Sequence, residues 1–312
     1  MNQQKHYNTL TEYYGNKWKH KVAKVALNAN FTCPNRDGTK GYGGCSYCSK
    51  LGSGDTAGNP LHSIQDQFLE ITSILNRKWP DAFYIPYLQA YSNTYAPIEK
   101  LKELYEYILT LDPERIVELS IATRADCFTE ELYAYLDDLN KRIPITIELG
   151  LQTSNEATAQ RINRCCSNEE FIHCVEELRK RDIQIVVHII NGLPLETKED
   201  MLQTIEFINR LDIQGIKFHS LLLLKDSILY EQYQKNPFHL LSLEEYVDIT
   251  VTQIRMLKPT MIIHRLAADS TLENLFLPKW PIKKLVVMNE IDKRMRKENY
   301  YQGDLFKSSH HH

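Results

Sequence analysis

Three of the seven cysteines lie close together in a glycine-rich stretch from Cys33 to Cys48, with the spacing C-x11-C-x2-C. The pair Cys45 and Cys48 places two thiolates on one tight turn, which suits a shared metal or cluster. Cys33 can fold back to supply a third ligand. Structural zinc sites have four protein ligands, and iron–sulfur clusters are normally held by four thiolates. Three local cysteines therefore predict a cluster that keeps one iron for a ligand that is not protein.

Two alternatives concern the cysteines. The three-cysteine loop could instead be a zinc site with a nearby histidine as its fourth ligand. The remaining cysteines have no recognised cluster spacing, and we expect them to be packing thiols. They are Cys127, Cys165, Cys166 and Cys174.

The composition of the 312-residue chain, 43% hydrophobic and 25% charged, is that of a globular protein and excludes a disordered one. No apolar run is long enough to span a bilayer, and the first residues lack the apolar core of a signal peptide. We therefore expect a cytoplasmic protein without a membrane partner, in a compartment where free thiols persist. We interpret His310–His312 as the remnant of a purification tag.

The net charge of −3 argues against a uniformly basic nucleic-acid binder. Basic residues are nevertheless mixed with aromatic ones in two segments, 17–24 and 280–301. Such segments can follow a phosphate backbone and stack bases. They can equally be solvated helix faces.

Strand patterns alternate with helix patterns along most of the chain, which predicts a parallel sheet buried on both faces. Six such units predict a partial (β/α)6 TIM-like barrel over residues 1–225, with predicted strands at 22–28, 82–91, 116–122, 143–151, 183–190 and 215–222. Residues 226–309 form the predicted C-terminal α/β extension. It contains helices, a strand at 261–266 and a basic terminal helix.

Polar residues fall at or just past the ends of the predicted strands. In parallel α/β folds, ligand-binding groups occupy these carboxyl ends. Such residues on successive strands predict one active-site face. They are Cys33, Gln89, Arg124, Gln152, Asn191 and His219.

Two pairs of residues are candidates for chemistry. Lys217 and His219 alternate on one strand, so both point into the barrel, where an unpaired lysine is costly. This favours contact with a substrate or a cofactor. Arg124 and Asp126 could be a surface ion pair of little value, but their place at a strand end favours a functional role.

The cysteine loop, which follows a first strand and has Tyr47 just before its third cysteine, resembles that of the radical SAM superfamily. The eleven-residue gap departs from the commonest three-residue gap of that superfamily. It is similar instead to the branch that contains the Elongator catalytic subunit and, more closely, the YhcC/YtqA-type bacterial radical SAM proteins. The similarity covers nearly the whole chain and includes the segments 89–97, 123–126, 148–153, 217–219 and 264–266.

The resemblance implies two cofactors. Cys33, Cys45 and Cys48 would hold a [4Fe-4S] cluster, and its fourth iron would be chelated by S-adenosylmethionine. One electron would cleave S-adenosylmethionine to methionine and a 5′-deoxyadenosyl radical, so an electron donor such as flavodoxin or ferredoxin is also implied. The protein would supply binding, orientation and exclusion of water.

The resemblance also implies roles for individual residues. Gln152 would bind the ribose of S-adenosylmethionine, and Arg164, twelve residues later, its carboxylate. His188 stands where relatives carry an aspartate that binds the ribose. Residues 89–92 would receive the methionine amino group. The full predicted set is Gln89, Ser92, Glu148, Gln152, Arg164, His188 and Asn191 for cofactor binding, and Lys217, His219, Arg124 and Asp126 for catalysis. Arg265, rather than His264, is expected to join them.

By association, the same resemblance implies a tRNA substrate. A plausible reaction removes or remodels the 5-carboxymethylaminomethyl substituent of a wobble uridine to leave 5-aminomethyluridine. The alternatives are a radical SAM enzyme that acts on a small metabolite or a tetrapyrrole-like ring, and a non-catalytic RNA-binding protein that contains zinc.

Overall fold

The computed structural model describes residues 5–268 and 273–307. The strands in this part of the chain are β1 (Val22–Leu27), β2 (Phe83–Leu88), β3 (Leu119–Thr123), β4 (Ile145–Gln152), β5 (Gln184–Asn191), β6 (Gly215–Ser220), β7 (Leu223–Leu224), β8 (Ile262–Arg265) and β9 (Leu275–Leu277). Seven of them form one parallel sheet in the order β1-β2-β3-β4-β5-β6-β8, curled into a partial barrel. The short strands β7 and β9 pair antiparallel beside it.

Helices connect the parallel strands, as a buried parallel sheet requires. They are α1 (Leu10–Trp18), α2 (Ile64–Lys78), α3 (Ile98–Leu109), α4 (Glu130–Arg142), α5 (Glu156–Arg161), α6 (Asn168–Arg179), α7 (Lys198–Asn209), α8 (Ile228–Lys235), α9 (Leu243–Met256) and α10 (Lys284–Lys297), with a 3₁₀ turn at Trp280–Ile282. Ser167, Thr197 and Ser242 begin α6, α7 and α9 with capping boxes, which satisfy the first free backbone N–H groups.

The six strands predicted for the barrel are confirmed, with ends that shift by up to three residues. The strand predicted at 261–266 also exists as β8, but it pairs with β6 in the main sheet. The barrel therefore has seven strands rather than six. A division of the chain near residue 225 stays a prediction, and residues 308–312, including the expected tag remnant, lie outside the described residues. No helix among the described residues has the length and apolarity needed to cross a bilayer.

The sheet does not close into a complete barrel, because its edge strands β1 and β8 are not paired with each other. We call the gap between Val22–Leu27 and Ile262–Arg265 the seam. Helix α1 contacts both edge strands, and the backbone N–H of Ile263 donates to the carbonyl of Asn8 at 2.9 Å. The segment that leads into α1 thus covers part of the free edge of β8.

The N-terminal segment is held by the C-terminal helix. Asp292 on α10 forms an ion pair with Lys5 and accepts a hydrogen bond from the Tyr7 hydroxyl at 2.9 Å. His6 Nδ1 lies 2.7 Å from the carbonyl oxygen of Tyr300. Side chains of α10 such as Ile291 belong to the same apolar core as the barrel strands. The first and last described segments are therefore parts of one packed unit.

Candidate functional site

The three loop cysteines line one cavity at the carboxyl ends of the strands. Each sulfur has a polar neighbour: Ser92 Oγ lies 3.2 Å from Cys33, Asn35 Nδ2 donates to Cys45 at 3.3 Å, and Ser53 Oγ lies 3.3 Å from Cys48. Hydrogen bonds to ligand atoms orient them and stabilise the thiolate form. The loop therefore presents three supported sulfurs to a single cavity.

This donor set fits a cluster rather than a single ion. Among the described residues, no three His, Cys, Asp or Glu side chains converge closely enough to hold one metal ion. In a four-iron cluster each thiolate binds a different iron, so such convergence is not required. Burial raises the pKa of Cys48 to about 11 and also raises that of Cys33. These thiols therefore release protons when a metal centre binds.

The loop is fixed to the turn that follows α5. Asn163 Nδ2 donates to the carbonyls of Tyr42 and Gly44, at 3.0 and 2.8 Å, and the N–H of Ser46 donates to the carbonyl of Ile162 at 2.9 Å. Asn163 has φ +56°, a left-handed conformation that asparagine tolerates. This turn therefore determines where Cys45 lies.

Asp126 forms a second anchor for the loop. Arg124 donates to both of its carboxylate oxygens, at 2.9 and 2.8 Å, and Lys40 of the loop lies 3.0 Å away. Although burial alone would raise it, these two cations hold the pKa of Asp126 below its usual range. Arg124 lines the cavity, whereas Asp126 lies behind it. The geometry gives Asp126 a role in positioning the loop, and its predicted catalytic role stays untested.

Gln89 and Gln152 line the cavity, as predicted from their strand ends, and Ser92, predicted from the family resemblance, lines it as well. Gln89 Nε2 donates to the carbonyl of Ser53 at 2.9 Å. Gln152 has φ +60°, and its side-chain oxygen can accept from the Tyr47 hydroxyl at 3.2 Å. A Cβ at Gly150 would lie 2.4 Å from the end of the Gln152 amide, so a larger residue there would require the Gln152 side chain to move. Their assignment to S-adenosylmethionine stays a prediction.

Arg164 lies at the cavity wall, but its guanidinium already donates hydrogen bonds to acceptors within the protein. Its Nη1 donates to the carbonyls of Leu151 and Thr153, at 2.9 and 2.7 Å, and its Nε donates to the carbonyl of Cys166 at 2.6 Å. Its Nη2 donates to Asn168 Oδ1 at 3.0 Å. A carboxylate of S-adenosylmethionine would have to share or displace one of these acceptors.

The structure does not bring Asn191 to the cavity, which corrects that expectation. Its side-chain amide exchanges hydrogen bonds of 2.7 and 2.9 Å with Gln253 on α9. His188 and Ile190 line the cavity instead. Because side chains alternate along a strand, Asn191 points to the opposite face.

Glu148 is the centre of a buried group of charges inside the barrel, which we call the Glu148 cluster. Its carboxylate pairs with both Lys24 and Lys217, and it accepts from His188 Nε2 at 2.7 Å and Ser120 Oγ at 2.9 Å. The lysines hold the pKa of Glu148 well below its usual range despite its burial. Glu148 is therefore ionised, and its predicted contact with the cofactor would compete with these partners.

Arg265 extends this cluster to the edge of the sheet. His188, Lys217 and Arg265 are neighbours in register across β5, β6 and β8. An irregularity skips His264, because Ile216 pairs with Ile263 and the next residue, Lys217, pairs with Arg265. This bulge places Arg265 in the main cavity, as expected, while His264 lines only neighbouring cavities.

Burial changes the charge states in this cluster. It lowers the pKa of Lys217 to about 7, with the charges of Lys24 and Arg265 acting in the same direction and Glu148 against them. Burial also lowers the pKa of His188 to about 4 and that of His219 well below its usual value. Both histidines are therefore neutral at pH 7. The His219 ring lies 5.2 Å from that of His188, and its Nε2 has no hydrogen-bond partner among the described residues.

Lys24 and Tyr87 belong to this site but were not predicted for it. Lys24 lies in a basic stretch of sequence, and that pattern alone indicates a residue on the surface. The alternation of Val22, Lys24 and Ala26 on β1 was the available signal, since all three line the second cavity, which opens at the seam. Cys127 and Cys174 are buried, as expected for packing thiols, whereas Cys166 lines the main cavity.

Comparisons with known proteins agree with this geometry. The Radical SAM superfamily profile matches residues 33–208, and the Radical_SAM C-terminal domain matches residues 213–297. YtqA from Bacillus subtilis is 43% identical over 305 residues, 98% of this chain and 94% of that protein. YhcC from Escherichia coli is 32% identical over 94% of this chain and 92% of that protein. The structure of Elp3 from the archaeon Methanocaldococcus infernus superposes with a TM-score of 0.68, at 17% identity, over 91% of this chain and 64% of that one.

More distant matches cover only part of the chain. A tRNA-2-methylthio-N(6)-dimethylallyladenosine synthase from Thermotoga petrophila is 24% identical over 34% of this chain and 24% of that protein. Elongator complex protein 3 from Saccharomyces cerevisiae is 24% identical over 50% of this chain and 28% of that protein. The matched profile, the full-length relatives and the three-cysteine loop agree: this chain belongs to the radical SAM superfamily, and it is an enzyme whose cofactors are a [4Fe-4S] cluster and S-adenosylmethionine.

Proposed function

We propose that this radical SAM enzyme modifies tRNA, converting the 5-carboxymethylaminomethyl group of a wobble uridine to 5-aminomethyl. The observation that carries the proposal is the cationic wall of the cavity beside the cysteine loop. Lys217 and Arg265 line this cavity, and Lys217 shares the carboxylate of Glu148 with Lys24 of β1. A substrate that is itself an anion and bears a carboxylate suits such a wall.

The relatives support a tRNA substrate at a coarser level. A partial match is named as a tRNA-2-methylthio-N(6)-dimethylallyladenosine synthase. The chain's resemblance to the Elongator branch points in the same direction. We further propose that the enzyme works in the cytoplasm and receives electrons from a donor such as flavodoxin or ferredoxin.

The two cofactors supply, when bound, a radical that abstracts a hydrogen atom. We place the abstraction at the methylene between the amine nitrogen and the carboxylate. Loss of that hydrogen atom and one further electron, followed by addition of water, breaks the bond between nitrogen and this methylene carbon. The products are the 5-aminomethyl group and glyoxylate. The two electrons and one proton convert S-adenosylmethionine to methionine and 5′-deoxyadenosine, so the reaction balances.

The basic segments offer fewer exposed aromatic side chains for stacking on RNA bases than the sequence predicts. Trp280 donates its indole N–H to the carbonyl of Leu241 at 2.9 Å and packs on Tyr246, so it is not a free platform for a base. Lys17 pairs with Glu118, and Lys24 points into the barrel. Exposed basic residues lie at the start of α10 and along it, at Lys283, Lys284, Lys293, Arg296 and Lys297. We assign the phosphate contacts to this helix.

The test combines cells and purified protein. Nucleosides of tRNA from a strain that lacks this protein should accumulate the 5-carboxymethylaminomethyl form at the expense of its 5-aminomethyl products, measured by mass spectrometry. Cluster-loaded enzyme with S-adenosylmethionine and a reductant should convert that tRNA anaerobically and release one glyoxylate for each 5′-deoxyadenosine. An unchanged nucleoside profile, together with robust cleavage of S-adenosylmethionine, would assign the enzyme to a small-metabolite substrate instead.

A further inference from the structure

We propose that Arg36 sets the reduction potential of the iron–sulfur cluster, because its guanidinium is fixed against Tyr91 as a positive charge beside Cys48. The inference goes beyond the proposed function and does not depend on which substrate the enzyme takes. It depends on the cluster that the superfamily uses and on the contacts of Arg36.

Arg36 belongs to the cysteine loop and faces the same cavity as the cysteines. It lies between Cys33 and Cys45 in sequence, and its backbone N–H donates to the carbonyl of Cys33 at 2.9 Å. Its side chain lines the main cavity together with all three loop cysteines. The segment that supplies the thiolates therefore supplies a cation as well.

Two contacts fix the direction of the guanidinium. Arg36 Nη2 donates to the carbonyl of Ser49 at 2.6 Å. The guanidinium carbon lies 5.2 Å from the centroid of the Tyr91 ring, within the range of a cation–π interaction. Because Ser49 directly follows Cys48, the first contact holds the charge close to that cysteine.

Tyr91 is itself held in place. It has φ +62°, a left-handed conformation that is uncommon for a bulky residue. Its N–H donates to the carbonyl of Gly52 at 2.9 Å, and its hydroxyl donates to the carbonyl of Lys50 at 2.5 Å. Such a conformation persists only where the surrounding contacts determine it. The ring is therefore a fixed platform for the guanidinium.

Two glycines of the loop make room for this pair of side chains. A Cβ at Gly44 would lie 2.8 Å from Arg36 Nε, and a Cβ at Gly52 would lie 2.3 Å from the Tyr91 ring. Both glycines also have positive φ, +78° and +62°. A larger residue at either position would displace the guanidinium or the ring. Part of the glycine content of the loop is thus explained by Arg36 and Tyr91.

The charge of Arg36 is directed at sulfur rather than at an acid. Arg124 also lines the cavity, but it donates to both carboxylate oxygens of Asp126. Within the described part of the chain, Arg36 forms no ion pair with a carboxylate, and its neighbours are a carbonyl, an aromatic ring and Cys48. Although partial burial alone would lower it, the negative charge of Cys48 raises the pKa of Arg36.

The carboxylates that line the cavity have other partners. Asp55 accepts a hydrogen bond from Ser49 Oγ at 2.8 Å, and Glu148 pairs with Lys24 and Lys217. Neither therefore neutralises Arg36 through a direct contact.

A fixed cation at this place favours the reduced cluster. Reduction adds one electron from an external donor, and no bond forms or breaks in that step. The electron increases the negative charge on the side of the cavity where Cys48 lies. Positive charge and hydrogen bonds near the sulfurs stabilise the more negative state. Arg36 therefore makes uptake of the electron more favourable.

The test measures the midpoint potential of the cluster without tRNA. Anaerobically reconstituted proteins with equal iron and sulfide per chain are titrated with titanium(III) citrate in the presence of redox mediators, and the reduced cluster is quantified by EPR spectroscopy. Arg36→Gln keeps a donor for the Ser49 carbonyl but removes the charge. It should lower the equilibrium constant for reduction about 10-fold, which is a midpoint about 59 mV more negative for one electron.

Two further variants separate charge from other effects. Arg36→Lys keeps the charge and should retain most of the wild-type potential. Arg142→Met removes a cation from an exposed ion pair with Glu106 and should leave the midpoint unchanged. If Arg36→Gln does not hold a cluster, Tyr91→Leu provides a second comparison, because it releases the guanidinium from the ring. It should shift the midpoint in the same direction.

Three outcomes would overturn the inference. One is an equal midpoint in the wild type and in Arg36→Gln, or in Tyr91→Leu where that variant replaces it. Another is an equal shift in Arg36→Lys and Arg36→Gln, because the charge would then not be the cause. The third comes from titration with S-adenosylmethionine: lost affinity with an unchanged midpoint would assign Arg36 to the carboxylate of this cofactor. An unchanged nucleoside profile in the deletion strain would contradict only the proposed function, since no RNA enters these measurements.

Discussion

The sulfur of Cys45 accepts a hydrogen bond from the Asn35 side chain, which also donates to the carbonyl of Asn163. We predict that Cys45→Ala abolishes the cluster and reduces 5′-deoxyadenosine formation to background, because a thiolate ligand is lost. Iron and sulfide per chain, after anaerobic reconstitution, provide the measurement. Cys174→Ala, which changes a buried thiol on α6, should retain both. A full cluster in Cys45→Ala would remove Cys45 from the ligand set.

The titration of Lys217 predicts how the free energy of unfolding changes with pH. Its pKa is about 7 in the folded protein and near 10.4 in an unfolded chain. Between these values the unfolded state binds more protons, so this residue makes stability rise with pH across that window. The groups that face it are Glu148, Lys24, Tyr87, His188, His219, His264 and Arg265.

The measurement is urea unfolding of the wild type and Lys217→Met between pH 7 and 9.5, with both proteins in the same cluster state. The free energy of unfolding of the wild type should rise relative to the variant by about 1 kcal/mol per pH unit. A difference that stays constant with pH would mean that Lys217 titrates normally.

At the scale of elements, the cysteine loop depends on its anchors to β3 and to the turn after α5. We predict that Asp126→Asn weakens the link from Lys40 and Arg124, so that a chelator removes iron about 10-fold faster, in line with other residues that support metal ligands. Glu106→Gln, which alters an ion pair exposed to solvent, should leave iron loss unchanged. If Asp126→Asn held its iron like the wild type yet lost activity, Asp126 would have the catalytic role instead.

The elements themselves were largely predictable, because apolar strands alternate with amphipathic helices. The partner of β8 was not, since a local pattern does not show which strand lies beside it after a long connection. The loop cysteines were predicted from their spacing. The cofactor-binding role of Arg164 was predicted from its distance in sequence to Gln152. That distance cannot show that carbonyl groups of the protein already accept hydrogen bonds from the guanidinium. Lys24 could not be distinguished from surface charge by composition, because it lies in a basic run of sequence, although strand alternation places it inside the barrel. The alternation of side chains along β5 places Asn191 on the face opposite to His188 and Ile190.

The distribution of charge over the whole molecule leads to a prediction about salt. The net charge is −3, so the proposed binding of tRNA requires a local basic surface. Replacing Lys293, Arg296 and Lys297 together with Glu should weaken tRNA binding at least 10-fold. It should also reduce the magnitude of the slope of log K against log salt by about 2 to 3, because three phosphate contacts are lost.

Filter binding over a range of salt concentrations gives this slope, and formation of 5′-deoxyadenosine without RNA is the control, which should not change. The matched variant reverses three lysines away from this helix, Lys78, Lys102 and Lys141. A slope that both triple variants leave intact would place the RNA elsewhere and favour a small substrate.

The contacts that residues 5–7 make with Asp292 and Tyr300 have a consequence for biosynthesis. Asp292 and Tyr300, which hold Lys5, His6 and Tyr7, are made almost three hundred residues after them. While the chain emerges from the ribosome, its first residues have no final partner. These contacts therefore cannot form before residues 292–300 have been made, and the beginning of the chain is among the last of the described parts to reach its native place.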